Sequence, residues 1–214
     1  YAFQDTGLSS IDLGGVTEIG EYAFSGCTSL TSVTFPATDY TIGNGAFFFT
    51  GLSGSIDLGG VTEIGVIAFQ GLAGLTSVTF PATDYTIGDY AFQSTGLGSI
   101  DLGGVTEIGA YAFTNCADLT AVTFPATDYT IGNGAFSYTG LSGSIDLGGV
   151  TAIGYSAFEG CAGLTAVTFP ATDYTIGNGA FFDTGLSGSI DLGGVTDIGD
   201  DAFSDCANLT SVVF

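Results

Sequence analysis

The chain has 214 residues, of which 22 are Asp or Glu and none is Lys, Arg or His, so its formal net charge is −22. Because phosphate binding depends on Lys and Arg, this composition excludes nucleic-acid binding, and the absence of His excludes His-dependent catalysis and His-ligated zinc. A content of 45% hydrophobic and 13% aromatic residues predicts a folded chain, and the lack of a long uninterrupted apolar stretch argues against direct membrane insertion.

An internal repeat runs along the whole chain. The dipeptide Ala-Phe recurs ten times at intervals of 21 to 23 residues, first at Ala2 and last at Ala202. Two repeat types alternate, one reading S-I-D-L-G-G-V-T-x-I-G-x-x-A-F and the other V-T-F-P-A-T-D-Y-T-I-G-x-x-A-F. One unit of this length cannot bury its own apolar face, whereas stacked units form a continuous core. The sequence therefore predicts a solenoid of about ten coils of 22–23 residues each.

Within each unit the elements follow in a fixed order. Ile11-Asp12-Leu13 alternates inward apolar and outward polar side chains, which predicts a short strand that ends at Gly14. A second extended piece follows at residues 16–19, and Gly20 turns the chain into a short helical or 3₁₀ segment that carries the Ala-Phe pair. We therefore predict an α/β repeat, mostly β, with a parallel β-sheet on one face of the solenoid.

Residues 16–36 read VTEIGEYAFSGCTSLTSVTFP. This stretch resembles the leucine-rich repeats of the BspA-like (Treponema-type) family nearly position for position, and the resemblance covers essentially the whole chain. It implies a right-handed leucine-rich-repeat solenoid. It also implies a secreted or surface-anchored protein of bacteria or some protists that mediates adhesion.

The four cysteines share one position in the repeat, four residues after the Ala of Ala-Phe, where other coils carry Thr or Leu: Cys27, Cys116, Cys161 and Cys206. Neighbouring cysteines are at least two coils apart, about 10 Å at the spacing of stacked strands, whereas a disulfide requires Cα atoms within about 7 Å. We therefore predict buried thiols that bond weakly to the backbone. Metal ligation by thiolates is the open alternative.

One Asp stands on the outward strand face of every second coil, and we call this set the acidic file: Asp12, Asp57, Asp101, Asp146 and Asp191. Carboxylates about 10 Å apart tolerate one another without basic partners, which favours a solvated acidic surface. Loosely bound Ca²⁺ is the alternative, with the acidic file as a weak metal candidate, because no loop gathers the six to eight oxygens of a tight site. The regular Thr and Ser files between these residues also leave an ice-binding surface open.

Carboxylate catalysis is the one enzymatic chemistry that this composition leaves open. It requires two acidic groups in different environments, one of them with a raised pKa. Each Asp here recurs with near-identical neighbours, so no position has a unique environment. We therefore predict that the protein is not an enzyme and has no catalytic or cofactor-binding residue.

The repeats differ mainly at the residues just before and after each Ala-Phe pair, and repeat proteins carry their specificity where repeats differ. Aromatic side chains at these positions form the candidate contact surface: Tyr22, Phe48, Phe49, Tyr111, Tyr138, Tyr155 and Phe182. Neutral variation in a turn is the alternative interpretation. Asn208 opens the one N-glycosylation sequon and is a candidate acceptor.

We expect residues 1–214 to form a single domain that is an excerpt of a longer array, because neither end carries a polar capping repeat. The predicted function is that of a non-enzymatic extracellular or cell-surface protein mediating adhesion or protein–protein interaction. Its ligands would be proteins or glycans on another cell or matrix. The alternative is a structural subunit of an acidic extracellular filament or sheath, assembled by end-to-end stacking of copies of itself.

Overall fold

The computed structural model describes all residues, 1–214, and consists of short β-strands joined by turns, with no helix. It therefore contains no helix long and apolar enough to cross a membrane. The strands are β1 (Ser10–Asp12), β2 (Glu18–Ile19), β3 (Ser32–Thr34), β4 (Tyr40–Ile42), β5 (Gly54–Asp57), β6 (Val61–Ile64), β7 (Leu75–Thr79), β8 (Tyr85–Ile87), β9 (Ser99–Asp101), β10 (Val105–Ile108), β11 (Ala121–Thr123), β12 (Tyr129–Ile131), β13 (Ser142–Asp146), β14 (Val150–Ile153), β15 (Gly163–Thr168), β16 (Tyr174–Ile176), β17 (Ser187–Asp191), β18 (Val195–Ile198) and β19 (Asn208–Val213).

The even-numbered strands form one continuous parallel sheet of nine strands, in chain order from β2 to β18. Its register places one Ile per coil over the next, as in the pairs Ile19–Ile42 and Ile42–Ile64. At every second step the register shifts by one residue, and a Thr side chain occupies the bulge: Thr62 Oγ1 donates to Tyr40 O at 3.2 Å. The predicted parallel solenoid is confirmed, and its nine stacked strands are close to the ten coils expected.

The odd-numbered strands, in contrast, pair only two by two, as β1–β3, β5–β7, β9–β11, β13–β15 and β17–β19. Each pair joins a Ser-Ile-Asp strand to a strand of the following coil, which contains Val-Thr in the first four pairs and Val-Val in β19, for example Ile11 to Val33. Strand pairing is absent between each pair and the next, as between β3 and β5. The strand before each gap is always followed by Phe-Pro, and Pro has no N–H to donate. These gaps leave four shallow strand-gap clefts of about 230 to 380 Å³. The continuous sheet thus forms from the second extended piece of each unit and not from the first.

The predicted helical or 3₁₀ segment around Ala-Phe is wrong. Hydrogen bonds within a coil close isolated four-residue turns, such as Ala23 N to Gly20 O at 3.2 Å and Cys27 N to Phe24 O at 3.1 Å. The amides between them point to the next coil, where Phe24 N donates to Ala46 O at 2.8 Å. Because alternate amides bond along the stack, this edge of the solenoid is a ladder of turns and the repeat is all-β.

The core is a stack of aromatic rings along the solenoid axis. Successive rings lie nearly parallel, with centroids 5.1 to 5.4 Å apart. Each of the rings is buried, with at most 2% of its residue surface exposed. One Phe per coil thus forms a buried file along the stack: Phe24, Phe47, Phe69, Phe92, Phe113, Phe136, Phe158 and Phe181.

Candidate functional site

The residues flanking each Ala-Phe pair form what we call the turn edge. Two positions of this edge have a left-handed backbone, the residue before Ala and the second residue after Phe. At the first position φ is 49° in Tyr22 and 60° in Gly45, and at the second it is 54° in Phe49 and 73° in Gly26. Side chains on this edge therefore vary over a nearly constant backbone, which is the arrangement expected of a surface that diversifies without changing the fold.

The seven aromatic candidates divide into two groups by exposure. Phe49 is 60% exposed, and Tyr138 and Tyr155 are each 54% exposed. The others are only half-buried side chains: Tyr22, Phe48, Tyr111 and Phe182. The structure therefore offers three exposed aromatic side chains for contact with a ligand, and one of them, Tyr138, also lies over Gly160 of the next coil.

Tyr22 and Tyr111 have a packing role. Each ring lies over the left-handed glycine of the next coil, Gly45 or Gly134, so closely that a Cβ atom added to that glycine would overlap the ring. Tyr111 also stacks on Tyr90, with the ring centroids 5.1 Å apart. These two aromatic residues therefore cover the backbone of their neighbours, as Tyr138 also does over Gly160.

Three of the candidates come together around Glu159. The hydroxyl of Tyr138 donates to Glu159 Oε1, and this bond, followed by burial and the nearby negative charge, raises the pKa of Tyr138. Tyr155 and Phe182 line a cleft of about 430 Å³ next to it. The full lining is Tyr155, Ser156, Glu159, Asn178, Gly179, Phe182, Asp200 and Asp201.

Ser156 and Gly179 form the floor of this cleft and are not among the candidate residues predicted from the sequence. One signal in the sequence could have found them. Three coils contain the segment Asn-Gly-Ala-Phe, and its glycine lies beside one residue of the preceding coil. That residue is Tyr22 beside Gly45 and Tyr111 beside Gly134, but it is Ser156 beside Gly179. The missing ring opens the cleft.

Each Asp of the acidic file closes its own turn. Its Oδ1 accepts a hydrogen bond from the amide two residues later, at distances from 2.9 Å for Gly14 N and Asp12 to 3.1 Å for Gly103 N and Asp101. Asp57, Asp146 and Asp191 make the same bond. No three His, Cys, Asp or Glu side chains lie close enough together to hold a metal ion. The turn bond explains the recurrence of Asp, and loose association of Ca²⁺ stays a prediction.

The strand-gap clefts are features that the sequence analysis missed. Each lies between a Val-Thr-Phe segment and the Asp-containing strand of the next coil, as in the cleft lined by Thr79, Phe80, Pro81 and Asp101. The ring of Phe80 stacks on the buried Tyr85, with centroids 5.4 Å apart. Burial, and secondarily the charge of Asp101, raises the pKa of Tyr85. The clefts therefore have apolar walls and an acidic rim.

The cysteines are buried and free, as predicted, and bond to the backbone. Cys116 Sγ donates to Phe92 O at 3.2 Å and lies 3.2 Å from Thr95 Oγ1. Burial raises the pKa of the Cys116 and Cys161 thiols. A buried thiol with a raised pKa is a poor nucleophile, so these residues support packing.

Asn208 is exposed at the first position of β19, opposite Ser187. The hydroxyl of Thr210, which completes the sequon, donates to Gly188 O at 3.0 Å. The acceptor amide is therefore accessible, and glycosylation of Asn208 stays a prediction.

The profile of the BspA type Leucine rich repeat region matches this sequence in six copies, over residues 1–116, 54–148 and 144–214. These matches together span the chain from end to end. The chain belongs to the BspA-type leucine-rich repeat family. The resemblance of residues 16–36 to that family is thus confirmed. No curated protein matches the sequence.

Solved structures share the fold of this BspA-type chain. A leucine-rich repeat protein from Bacteroides ovatus aligns with a TM-score of 0.57 and 25% identity over 93% of this chain and 70% of that one. The T. pallidum leucine-rich repeat protein aligns with a TM-score of 0.56 and 22% identity over 94% of this chain and 78% of that one. The pneumococcal vaccine antigen PcpA gives 0.54 and 20%, over 95% of this chain and 60% of the antigen.

Proposed function

We propose that this BspA-type solenoid is a non-enzymatic binding module, displayed outside the cell or on its surface, that contacts protein or glycan ligands through its turn edge. The exposed aromatic side chains carry the proposal: Phe49 is 60% exposed, and Tyr138 and Tyr155 are each 54% exposed. They occupy the variable positions of an otherwise near-identical repeat. Rigid aromatic side chains supply large contact areas at a low cost in conformational entropy, and they are enriched where proteins bind ligands.

The charge of the molecule limits the choice of ligand. With 22 acidic residues and no basic side chain, the surface repels polyanions and favours neutral or basic partners. Extended repeat solenoids present large regular surfaces of this kind to their partners. The likeness of the repeats to those of secreted and surface-anchored family members supports the proposed location.

The test is binding to a panel of immobilised matrix proteins and glycans, measured by biolayer interferometry at physiological salt. A triple variant, Phe49→Ser, Tyr138→Ser and Tyr155→Asn, removes the exposed rings. Each new residue already occupies the equivalent position of another coil, as Ser94 and Asn133 do, so the backbone is compatible with it. We expect the affinity for any ligand of the wild-type protein to fall by about tenfold or more.

The matched control is Thr79→Ala, Thr123→Ala and Thr168→Ala, three exposed substitutions on the outward strand face. Binding that survives the loss of the aromatic rings but not the loss of these Thr hydroxyls would move the contact surface to the strand face. The absence of saturable binding across the panel would argue against a binding module. A filament of stacked copies predicts long particles that grow with concentration, which sedimentation velocity of the same samples detects.

A further inference from the structure

Three coils place Asn-Gly directly before Ala-Phe, at residues 44–45, 133–134 and 178–179. Each glycine leaves a space on the turn edge beside the residue one coil earlier, and we call this space the tyrosine slot. Tyr22 fills the slot over Gly45, and Tyr111 fills the slot over Gly134. The protein therefore shows twice, within its own chain, that this space accepts a phenol ring.

The third slot, over Gly179, has the same backbone but no ring. Ser156 N donates to Asn178 O at 2.9 Å, as Tyr22 N does to Asn44 O at 2.8 Å. The φ angles also agree, 51° in Ser156 and 49° in Tyr22, and 59° in Gly179 and 60° in Gly45.

The atoms nearest to a Cβ atom built on Gly179 are Ser156 Oγ at 3.5 Å and Phe182 Cβ at 3.8 Å. Both distances are ordinary van der Waals contacts, in contrast to the overlap with a ring at Gly45 and Gly134. No ring fills this space, which belongs to the cleft of about 430 Å³, and Ser156 at its floor is 5% exposed. This volume lies within the range of about 300 to 1,000 Å³ that is usual for ligand pockets.

The open slot also differs from the filled ones in charge. Glu159, Asp200 and Asp201 line it. The equivalent positions around the slot over Gly134 are the uncharged Thr114, Tyr155 and Ser156. Because the chain has no Lys, Arg or His, none of its own side chains can supply a cation to these carboxylates. Charge complementarity therefore favours a ligand that carries a cation beside its ring.

We propose that the slot over Gly179 binds a tyrosine side chain of a partner protein in which Lys or Arg flanks that tyrosine. The inference rests on the proposed function, because the slot is part of the turn edge. The partner's phenol ring lies over Gly179, in the place that Tyr22 takes over Gly45. The flanking cation lies beside the carboxylates that line the cleft, and the exposed ring of Tyr155 offers it a π face.

The probe is tyramine, which combines a phenol ring with an ammonium group. Titration into ¹⁵N-labelled full chain should shift the amide resonances of Ser156 and Gly179 saturably. Neutral p-cresol should bind roughly two- to fivefold more weakly, since exposed ion pairs contribute modestly. A Lys-Tyr-Lys peptide should shift the same two amides, and a Lys-Ala-Lys peptide should not.

Two variants exchange the slots. Ser156→Tyr supplies the ring that Tyr22 and Tyr111 supply elsewhere, and should lower the affinity for tyramine by about tenfold or more. Tyr111→Ser opens the slot over Gly134, where tyramine and p-cresol should now shift the Gly134 amide with similar affinity, because the equivalents of Glu159, Asp200 and Asp201 are uncharged there. Both substitutions place residues that the same left-handed position already holds in other coils.

Tyramine that leaves Gly179 unshifted, or that binds Ser156→Tyr as well as the wild-type protein, would overturn the inference. Equal binding of tyramine and p-cresol to the wild-type protein would remove the role of the carboxylates and overturn the choice of a basic partner. These failures are distinct from a failure of the proposed function. If the triple variant no longer binds its matrix or glycan ligand and tyramine leaves the Gly179 amide resonance unshifted, the turn edge binds ligands and the slot does not.

Discussion

Four tyrosines occupy equivalent buried positions in the Tyr-Thr-Ile strands, yet their hydroxyl groups differ. Tyr129 Oη donates to Leu147 O at 2.8 Å. The hydroxyls of Tyr40, Tyr85 and Tyr174 have no hydrogen-bond partner. The difference follows from one glycine, because Gly148 after Leu147 has φ 47°, whereas the corresponding Gly59, Gly103 and Gly193 are not left-handed. One peptide orientation therefore decides whether a buried hydroxyl is satisfied.

Substitution by Phe should separate the two kinds of tyrosine. Tyr129→Phe removes the donor from Leu147 O and should lower the free energy of unfolding by about 1 kcal/mol. Tyr85→Phe removes an unsatisfied hydroxyl and should leave the free energy of unfolding unchanged or raise it by up to about 1 kcal/mol. Urea unfolding of the two variants, which differ from the parent by the same atom, measures both values. Equal losses would mean that Tyr85 also finds a partner in solution.

The raised pKa values of the same tyrosines lead us to expect a lower free energy of unfolding at alkaline pH. Burial, and secondarily the charge of Asp191, raises the pKa of Tyr174 to about 12, and burial also raises the pKa of Tyr40, Tyr85 and Tyr129. The ordinary pKa of tyrosine is about 10, so above that pH the unfolded chain releases protons that the folded chain retains. The contribution of these groups is thus complete below about pH 10 and is lost as pH rises further, by up to about 1.4 kcal/mol per pH unit for each tyrosine.

Urea unfolding over a series of pH values from about 8 to 12 measures this loss, and Tyr85→Phe should make the slope shallower. The raised pKa values of Cys116 and Cys161 act in the same direction and start at a somewhat lower pH. A free energy of unfolding that stays constant across this range would contradict the burial of these hydroxyl groups.

At the scale of the elements, each coil is held by contacts with the coil before and the coil after it. Phe113 illustrates this, because its ring stacks between Phe92 and Phe136 at centroid distances of 5.4 and 5.2 Å. A single substitution in the file therefore disturbs two interfaces at once. In a solenoid, where stability is the sum of such nearest-neighbour terms, this effect is larger than the loss of one residue's own burial.

Phe113→Ala should lower the free energy of unfolding by about 3 to 5 kcal/mol, the usual cost of an aromatic cavity in a core. Phe49→Ala is the matched control, because that side chain is 60% exposed and its removal should cost little. Thermal or urea unfolding measures both variants. A Phe113→Ala protein that melts within a degree of its parent would refute the register of the core.

At the scale of the whole molecule, the net charge of −22 opposes folding without any internal relief. No side chain can form a salt bridge, and the N-terminal ammonium bonds to the carbonyl oxygen of Glu21 at 2.7 Å. Repulsion between carboxylates within about 10 Å of each other is therefore reduced only by protons or by dissolved ions.

We expect the melting temperature to rise with NaCl concentration, because salt screens this repulsion. Millimolar Ca²⁺ should raise it further if divalent ions associate loosely with the acidic file. Differential scanning calorimetry at matched ionic strength separates the two effects. Equal melting temperatures in Ca²⁺ and Na⁺ would show that no metal associates, and a melting temperature that falls with salt would contradict the electrostatic argument.

The period, the core and the cysteine environment could all be predicted from the sequence alone. Spacings of 21 to 23 residues bring equivalent residues of successive coils into contact, so the burial of Phe113 and Cys116 follows from the repeat pattern itself. The same pattern also indicates the turn edge, because variation is concentrated there. These inferences succeed because each depends only on which residue types recur at one position of the repeat.

The tertiary structure alone decided which aromatic residues are exposed, where the sheet is interrupted and which slot lacks a ring. Tyr22 and Tyr155 are equally plausible contact residues in the sequence, but Tyr22 covers Gly45 while Tyr155 stays 54% exposed. The sequence predicted a helical segment at Ala-Phe because residues such as Tyr22 and Tyr111 rarely adopt a left-handed backbone. In the structure both residues have that conformation, and the segment forms turns. Each of these outcomes depends on a specific residue one coil away and on the orientation of single peptides, which arise only when the coils stack.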